Sequence, residues 1–279
     1  MKLQIFSGRI LLAVAGAVLF IMTTGSGAVA AGPDMTIKGS TTVLPIAQIA
    51  AETFMDEHPG INISVQGGGS GVGIASLIDG TTDIADSSRK IKDKEIDKAK
   101  AAGINPFENI IAMDGIAVIV HPSNPLSKLG RDQIKDIYTG KVSNWSDLGG
   151  KGGKIIVISR DSSSGTFEAF EELAINKEKV RADALTTASN QAVAQTVAQT
   201  PGAIGYIGLG YLSGKVKDIE VDSVKCTKET VISGKYSLSR PLFMYTNGAP
   251  AGNVKKFIDF VLSDEVQKMV EEEGFVGLK

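Results

Sequence analysis

Three short stretches concentrate small and hydroxyl-bearing residues: Gly39-Ser40-Thr41-Thr42, Gly67-Gly68-Gly69-Ser70-Gly71 and Ser162-Ser163-Ser164-Gly165-Thr166. Each follows an apolar run and precedes a helical one. Glycine lets the backbone approach a ligand closely. The first N–H groups of a helix have no partner within it, and the helix dipole is positive there. Serine and threonine hydroxyls add donors. Several such loops converging on one point hold an anion without a metal. The third stretch follows Arg160, whose guanidinium can fork onto a tetrahedral oxyanion. Ordinary N-capping selects the same residue types and competes as the explanation of any one loop taken alone.

Other chemistry finds no support. No stretch reads Gly-x-x-x-x-Gly-Lys-Ser/Thr, and Val72 breaks a Gly-x-Gly-x-x-Gly pattern begun at Gly67. No nucleophile elbow surrounds Ser70 or Ser164. The two histidines, His58 and His121, have no spacing that suggests a metal site or a triad. A nucleophile with its base, or a metal cluster, is missing, so we expect neither an enzyme nor a cofactor. The formal net charge is −2, and loss of Lys2 and Arg9 with an N-terminal segment makes it two charges more negative. That balance argues against a nucleic-acid partner.

The elements that must carry these loops alternate. Met35–Lys38, Ile61–Val65, Ile110–Val120, Lys154–Ser159 and Ala203–Ile207 read as strands. Pro45–Glu57, Gly71–Ile78, Thr166–Ala174, Gln191–Gln199 and Val254–Glu271 read as helices. Alternation of this kind predicts an α/β fold with mostly parallel strands. The charged run Arg89–Lys100 reads as a solvated helix face. Ile110–Val120 and Ser239–Thr246 read as two crossings between lobes. They divide the chain into a discontinuous first lobe, 31–115 with 240–279, and a second lobe, 116–239. Residues 1–30 read as a secretory signal peptide. Lys2 and Arg9 supply its positive charge, Ile10–Ile21 its apolar run and Ala28-Val29-Ala30 its cleavage site. Cys226 is the sole cysteine, so neither a disulfide nor a lipid-anchored N-terminal cysteine is expected.

Seven landmarks in order resemble the phosphate-binding proteins of phosphate-specific ABC transport. They are Gly39 to Pro45, Gln66 to Gly71, Asp83 to Arg89, Tyr138 to Lys141 with Asn144-Trp145, Arg160 to Thr166, Pro201 to Tyr206, and Ser239 to Thr246. The resemblance covers the mature chain. It implies a type II periplasmic-binding fold, in which two α/β lobes joined by two crossing strands close on phosphate. It implies a periplasmic monomer that hands phosphate to the permease subunits of an ABC importer. Carried over by position, the ligand contacts fall on Thr41, Thr42, Ser70, Ser88, Arg160, Ser164, Gly165 and Thr166, with Ser40 beside them.

The chain departs from its relatives at one point. An acid that accepts the phosphate proton commonly stands where this chain has Ser88 or Ser162. Here the nearby acids are Asp86 and Asp161. Asp161 is the first candidate, because it follows Arg160 into the loop. Asp86 is the alternative, because alternation along an extended segment puts it on one side with Ser88.

Overall fold

The structure is a computed structural model and describes residues 32–279. The expected signal segment lies outside the described residues. In chain order the first elements are β1 (Met35–Gly39), α1 (Leu44–Glu57), β2 (Ile63–Gln66), α2 (Ser70–Ile78), β3 (Ile84–Ser87), α3 (Asp93–Ala101) and the long β4 (Pro106–Val120). Next come β5 (Lys128–Leu129), α4 (Arg131–Thr139), β6 (Ile156–Arg160), α5 (Gly165–Leu173), β7 (Leu185–Thr187), α6 (Asn190–Gln199), β8 (Ala203–Gly208) and β9 (Lys217–Val221). The chain ends with α7 (Lys228–Ile232), β10 (Ser239–Asn247), α8 (Gly252–Val261) and α9 (Asp264–Glu272).

The main strand path runs β2-β1-β3-β10-β4-β8-β6-β7. β1 pairs in parallel with β2 and β3, and β6 with β7 and β8. The two central strands run antiparallel to their neighbours. β10 lies between β3 and β4, and β4 continues onto β8 and β9. β4 is long because it serves two cores in succession. Ile111 and Ala112 belong to one, and the unbroken apolar run Ile116–Val120 to the other.

The first core gathers Ile37, Ile46, Phe54, Ile84, Leu242, Met244, Phe257 and Phe275. The second gathers Ile134, Tyr138, Trp145, Ile158, Phe170, Val193 and Tyr206, with the Phe170 and Tyr206 rings stacked at 3.9 Å between centroids. Thus the first core draws on both ends of the described chain and the second on its middle. β4 is buried on both faces over Ile116–Val120, which is why it is legible as a continuous apolar run.

Two expectations change. The helix read over Val254–Glu271 is two helices, α8 and α9. Ser263 interrupts it, and its side chain accepts from the Val266 N–H to cap the second. A serine can fit a helical pattern and still end one helix and begin the next. The charged run is not a uniform solvated face either. α3 holds its later part, but Arg89 is buried, with its guanidinium on Glu95 at 2.8 Å and on Glu168 at 2.7 Å.

Candidate anion-binding site

The three loops meet where the first core faces the second. Thr41 and Thr42 precede α1, Ser70 opens α2, Ser88 follows β3, and Gly165 and Thr166 open α5. All six are buried. The Ser88 N–H donates to the Ser70 hydroxyl at 3.0 Å. Gly165 packs against the same pair: a Cβ there would collide with Ser70 Oγ and stand 2.7 Å from Ser88 Oγ. Gly69 adopts a φ of +98°, and a Cβ there would stand 2.6 Å from the Ser163 carbonyl oxygen. Side chains at these two positions would push the loops apart. The loops also hydrogen-bond directly: Gly71 N–H donates to the Ser163 carbonyl at 2.9 Å, and Ser163 Oγ to the Gly68 carbonyl at 3.0 Å.

Arg160 ends β6 and is 3% exposed. Its Nε donates to the Thr187 carbonyl at 3.2 Å. Its Nη2 donates to the Ala188 carbonyl at 3.0 Å and to Thr41 Oγ1 at 3.2 Å. Nη1 is buried and has no hydrogen-bond partner among the described residues. Burial pulls the guanidinium down from its ordinary value, and neighbouring Asp161 works against that. A positioned, desolvated cation with one nitrogen unspent seeks an anion. The two backbone carbonyls occupy one side of the guanidinium, so Nη1 offers the unspent donors, not a free two-nitrogen fork.

The capping alternative holds for Ser164, while Ser40 is taken up in the turn before α1. Ser164 Oγ accepts from the Phe167 N–H at 3.2 Å, and Ser40 Oγ accepts from the Thr42 N–H at 3.1 Å. Asp161 is committed likewise: its Oδ1 accepts from the Ser163 N–H at 2.9 Å and from the Ser163 hydroxyl. Asp86 differs. It lies on β3, is 1% exposed, and neither carboxyl oxygen has a hydrogen-bond partner among the described residues. Burial pushes it well above the usual carboxylate range.

The sequence does not single out three further residues. Arg240 on β10 pairs with Asp114 on β4 at 2.8 Å, both buried. Burial lifts the Asp114 carboxyl, while the Arg240 charge and hydrogen bonds pull against it. Asn190, first residue of α6, is fully buried against Thr41 and Thr42. Arg240 falls inside a landmark segment, but its partner lies 126 residues away. Among the described residues, no group of three or more His, Cys, Asp or Glu side chains could hold a metal ion.

Two cores sharing long strands, with donor loops facing each other between them, define a binding protein. Residues 23–265 match the PBP superfamily domain. The chain is 36% identical over 248 residues to the phosphate-binding protein PstS of Bacillus subtilis, an alignment covering 88% of this chain and 81% of the relative. It is similar in structure to a phosphate ABC transporter substrate-binding protein of Clostridium perfringens with bound phosphate. There the TM-score is 0.82 and the identity 37%, over 88% of this chain and 99% of that one. An ABC-type phosphate transport receptor of Vibrio cholerae gives a TM-score of 0.73 at 33% identity, over 87% and 99% of the two chains. The chain belongs to the family of phosphate-binding proteins of phosphate ABC transporters, with their type II binding-protein fold.

Proposed function

We propose that this chain captures inorganic phosphate between its two cores and delivers it to the permease subunits of an ABC importer. Thr41, Thr42, Ser70 and Ser88 supply contacts from the first core. Arg160, Ser164, Gly165 and Thr166 supply them from the second. The observation that carries the reading is Arg160, whose buried Nη1 has no hydrogen-bond partner among the described residues while Nη2 reaches across to Thr41. An oxyanion at Nη1 would complete it. Contacts drawn from both cores are complete only when the cores are close, so ligand favours a closed state over an open one.

Phosphate near neutral pH carries at least one proton, and sulfate carries none. A buried carboxyl with no other partner keeps an acceptor oxygen that a phosphate O–H can meet and that proton-free sulfate cannot. Asp86 fits this role better than Asp161, whose Oδ1 is taken by Ser163. Binding, not catalysis, suits a site of donors with no activated nucleophile. Export to the periplasm rests on the signal-peptide pattern. No helix among the described residues is long and apolar enough to cross a membrane. Calorimetric titration of the mature protein with phosphate tests the reading, with Arg160→Met beside it. Saturable binding by the parent chain and its loss in the variant are expected. Tight binding by Arg160→Met would remove Arg160 from the site.

A further inference from the structure

The hydroxyls expected to face phosphate are themselves surrounded by donors. Thr42 Oγ1 accepts from Asn190 Nδ2 at 2.9 Å and from Arg240 Nη2 at 3.3 Å. Thr41 Oγ1 accepts from Asn190 Nδ2 at 3.3 Å and from Arg160 Nη2 at 3.2 Å. Thr166 Oγ1 accepts from Arg240 Nη2 at 3.0 Å and lies 2.8 Å from Thr42 Oγ1. A hydroxyl has two acceptor positions and one proton. One Arg240 Nη2 proton goes to Asp114 and the other is shared between Thr166 and Thr42, so the Thr42 oxygen faces the Asn190 N–H and this shared N–H, and its own proton is directed to the Thr166 oxygen. Thr166 then accepts from Arg240 and from Thr42, and its own proton turns outward. Thr41, filled by Asn190 and Arg160, also directs its proton outward.

The amide orientation that this needs is set independently. Asn190 Oδ1 accepts from the Gly208 N–H at 3.2 Å, which makes Nδ2 the end facing the threonines. Arg240 is held by Asp114 Oδ2 through Nε at 3.0 Å and Nη2 at 2.8 Å, and Nη1 donates to the Gly165 carbonyl at 3.3 Å. Asp114 Oδ1 in turn accepts from the Leu209 N–H at 2.9 Å.

We propose that Asn190 and Arg240 are positioning residues that lock the Thr41 and Thr166 hydroxyls as donors to the ligand, Thr42 acting through Thr166, and so select a ligand that presents acceptor oxygens to them. The proposal rests on the phosphate reading above and extends it. With these hydroxyls committed, none can receive a proton from the ligand, so that task falls to a separate group. The guanidinium that joins the crossing strands β4 and β10 is then also the one that reaches the hydroxyls of both facing loops.

The test is a double-mutant cycle on the mature protein, read by phosphate calorimetry with apo melting beside it. Asn190→Leu removes the donors and Thr42→Val the hydroxyl. Each should weaken phosphate by about 10- to 100-fold, the range for one or two lost hydrogen bonds in a polar site. Because Asn190 acts on Thr42, the double variant should lose much less than the product of the two single losses. Independent, multiplying losses would mean that Asn190 is only structural, and would overturn the proposal. Asn190→Asp is the variant that protects against misfolding. It keeps the shape and the acceptor for Gly208 but turns the second atom into an acceptor, drawing the Thr41 proton away from the ligand and the Thr42 proton away from Thr166. It should weaken phosphate by more than about 100-fold with the apo melting temperature held close to the parent. Parent-like affinity in Asn190→Asp would also overturn the proposal. If the parent itself fails to bind phosphate, the functional reading fails first, so the two failures are distinguishable.

Discussion

Replacing Asp86 by asparagine should stabilise the ligand-free protein while impairing its selectivity. The Asp86 carboxyl is buried with neither oxygen partnered among the described residues, and burial raises it well above the usual carboxylate range. At acid pH, below the ordinary aspartate value, folded and unfolded chains both hold the proton and the group contributes no pH dependence. As pH rises past that value, the unfolded chain releases the proton and the folded chain keeps it. Stability therefore falls by about 1.4 kcal/mol per pH unit until the raised folded value is passed. The carboxamide of Asp86→Asn does not titrate and removes the slope. Apo melting of parent and Asp86→Asn, followed from about pH 4 to about pH 8, should give two curves that diverge in favour of the variant. Phosphate and sulfate competition should show the variant losing much of its preference for phosphate. Parallel melting curves would refute the assignment of a desolvated carboxyl, and an unchanged preference would refute its role as acceptor.

Other outcomes follow from the same geometry. Arg160→Lys keeps the charge but cannot hold the Thr187 and Ala188 carbonyls and the anion together, so phosphate affinity should fall by about 1.5–3 kcal/mol in calorimetry. Ser164→Ala should lower both apo stability, by about 1 kcal/mol in denaturant melts, and phosphate affinity, because one oxygen caps α5 and its proton remains available to ligand. Glu168→Gln weakens the ion cluster with Arg89 and Lys92 that joins α5 to the segment after β3. Arg89 keeps Glu95 and Lys92 is well exposed, so the loss should be modest, about 1 kcal/mol. It should appear as a several-fold faster phosphate release in stopped-flow.

Much of this arrangement is legible in the sequence because it is local. β1, α1, α2, β6 and α5 follow from apolar runs interrupted by glycine and hydroxyl residues, and the same interruptions mark the loops. What is not local is harder to see. Asn190 opens a helix like any capping-rich segment, and nothing in Ala188-Ser189-Asn190 says that its amide will meet Thr42, 148 residues earlier. Arg240 needs Asp114, and that pairing exists only because β10 runs antiparallel beside β4. Arg89 reads as one more charge in a charged run until α5 brings Glu168 against it. Asp161 shows the converse limit. Its place after Arg160 marks it as the first candidate acceptor, and only the fold shows that the turn that follows takes up its Oδ1 through Ser163. Asp86 is set apart only by what fails to reach it, and an unmet hydrogen-bonding need has no signature in sequence.

The central claim is that donors from both cores, with a buried acceptor, make a site for phosphate and not for oxyanions at large. Isothermal calorimetry of the mature, ligand-stripped protein with phosphate, and then with sulfate in the same buffer, tests it most directly. Phosphate should bind saturably and one-to-one, and sulfate should bind more weakly by at least about 100-fold, the effect of an unmet acceptor oxygen with no proton from sulfate to satisfy it. Equal affinity for the two anions, or no heat of binding for either, would contradict that claim.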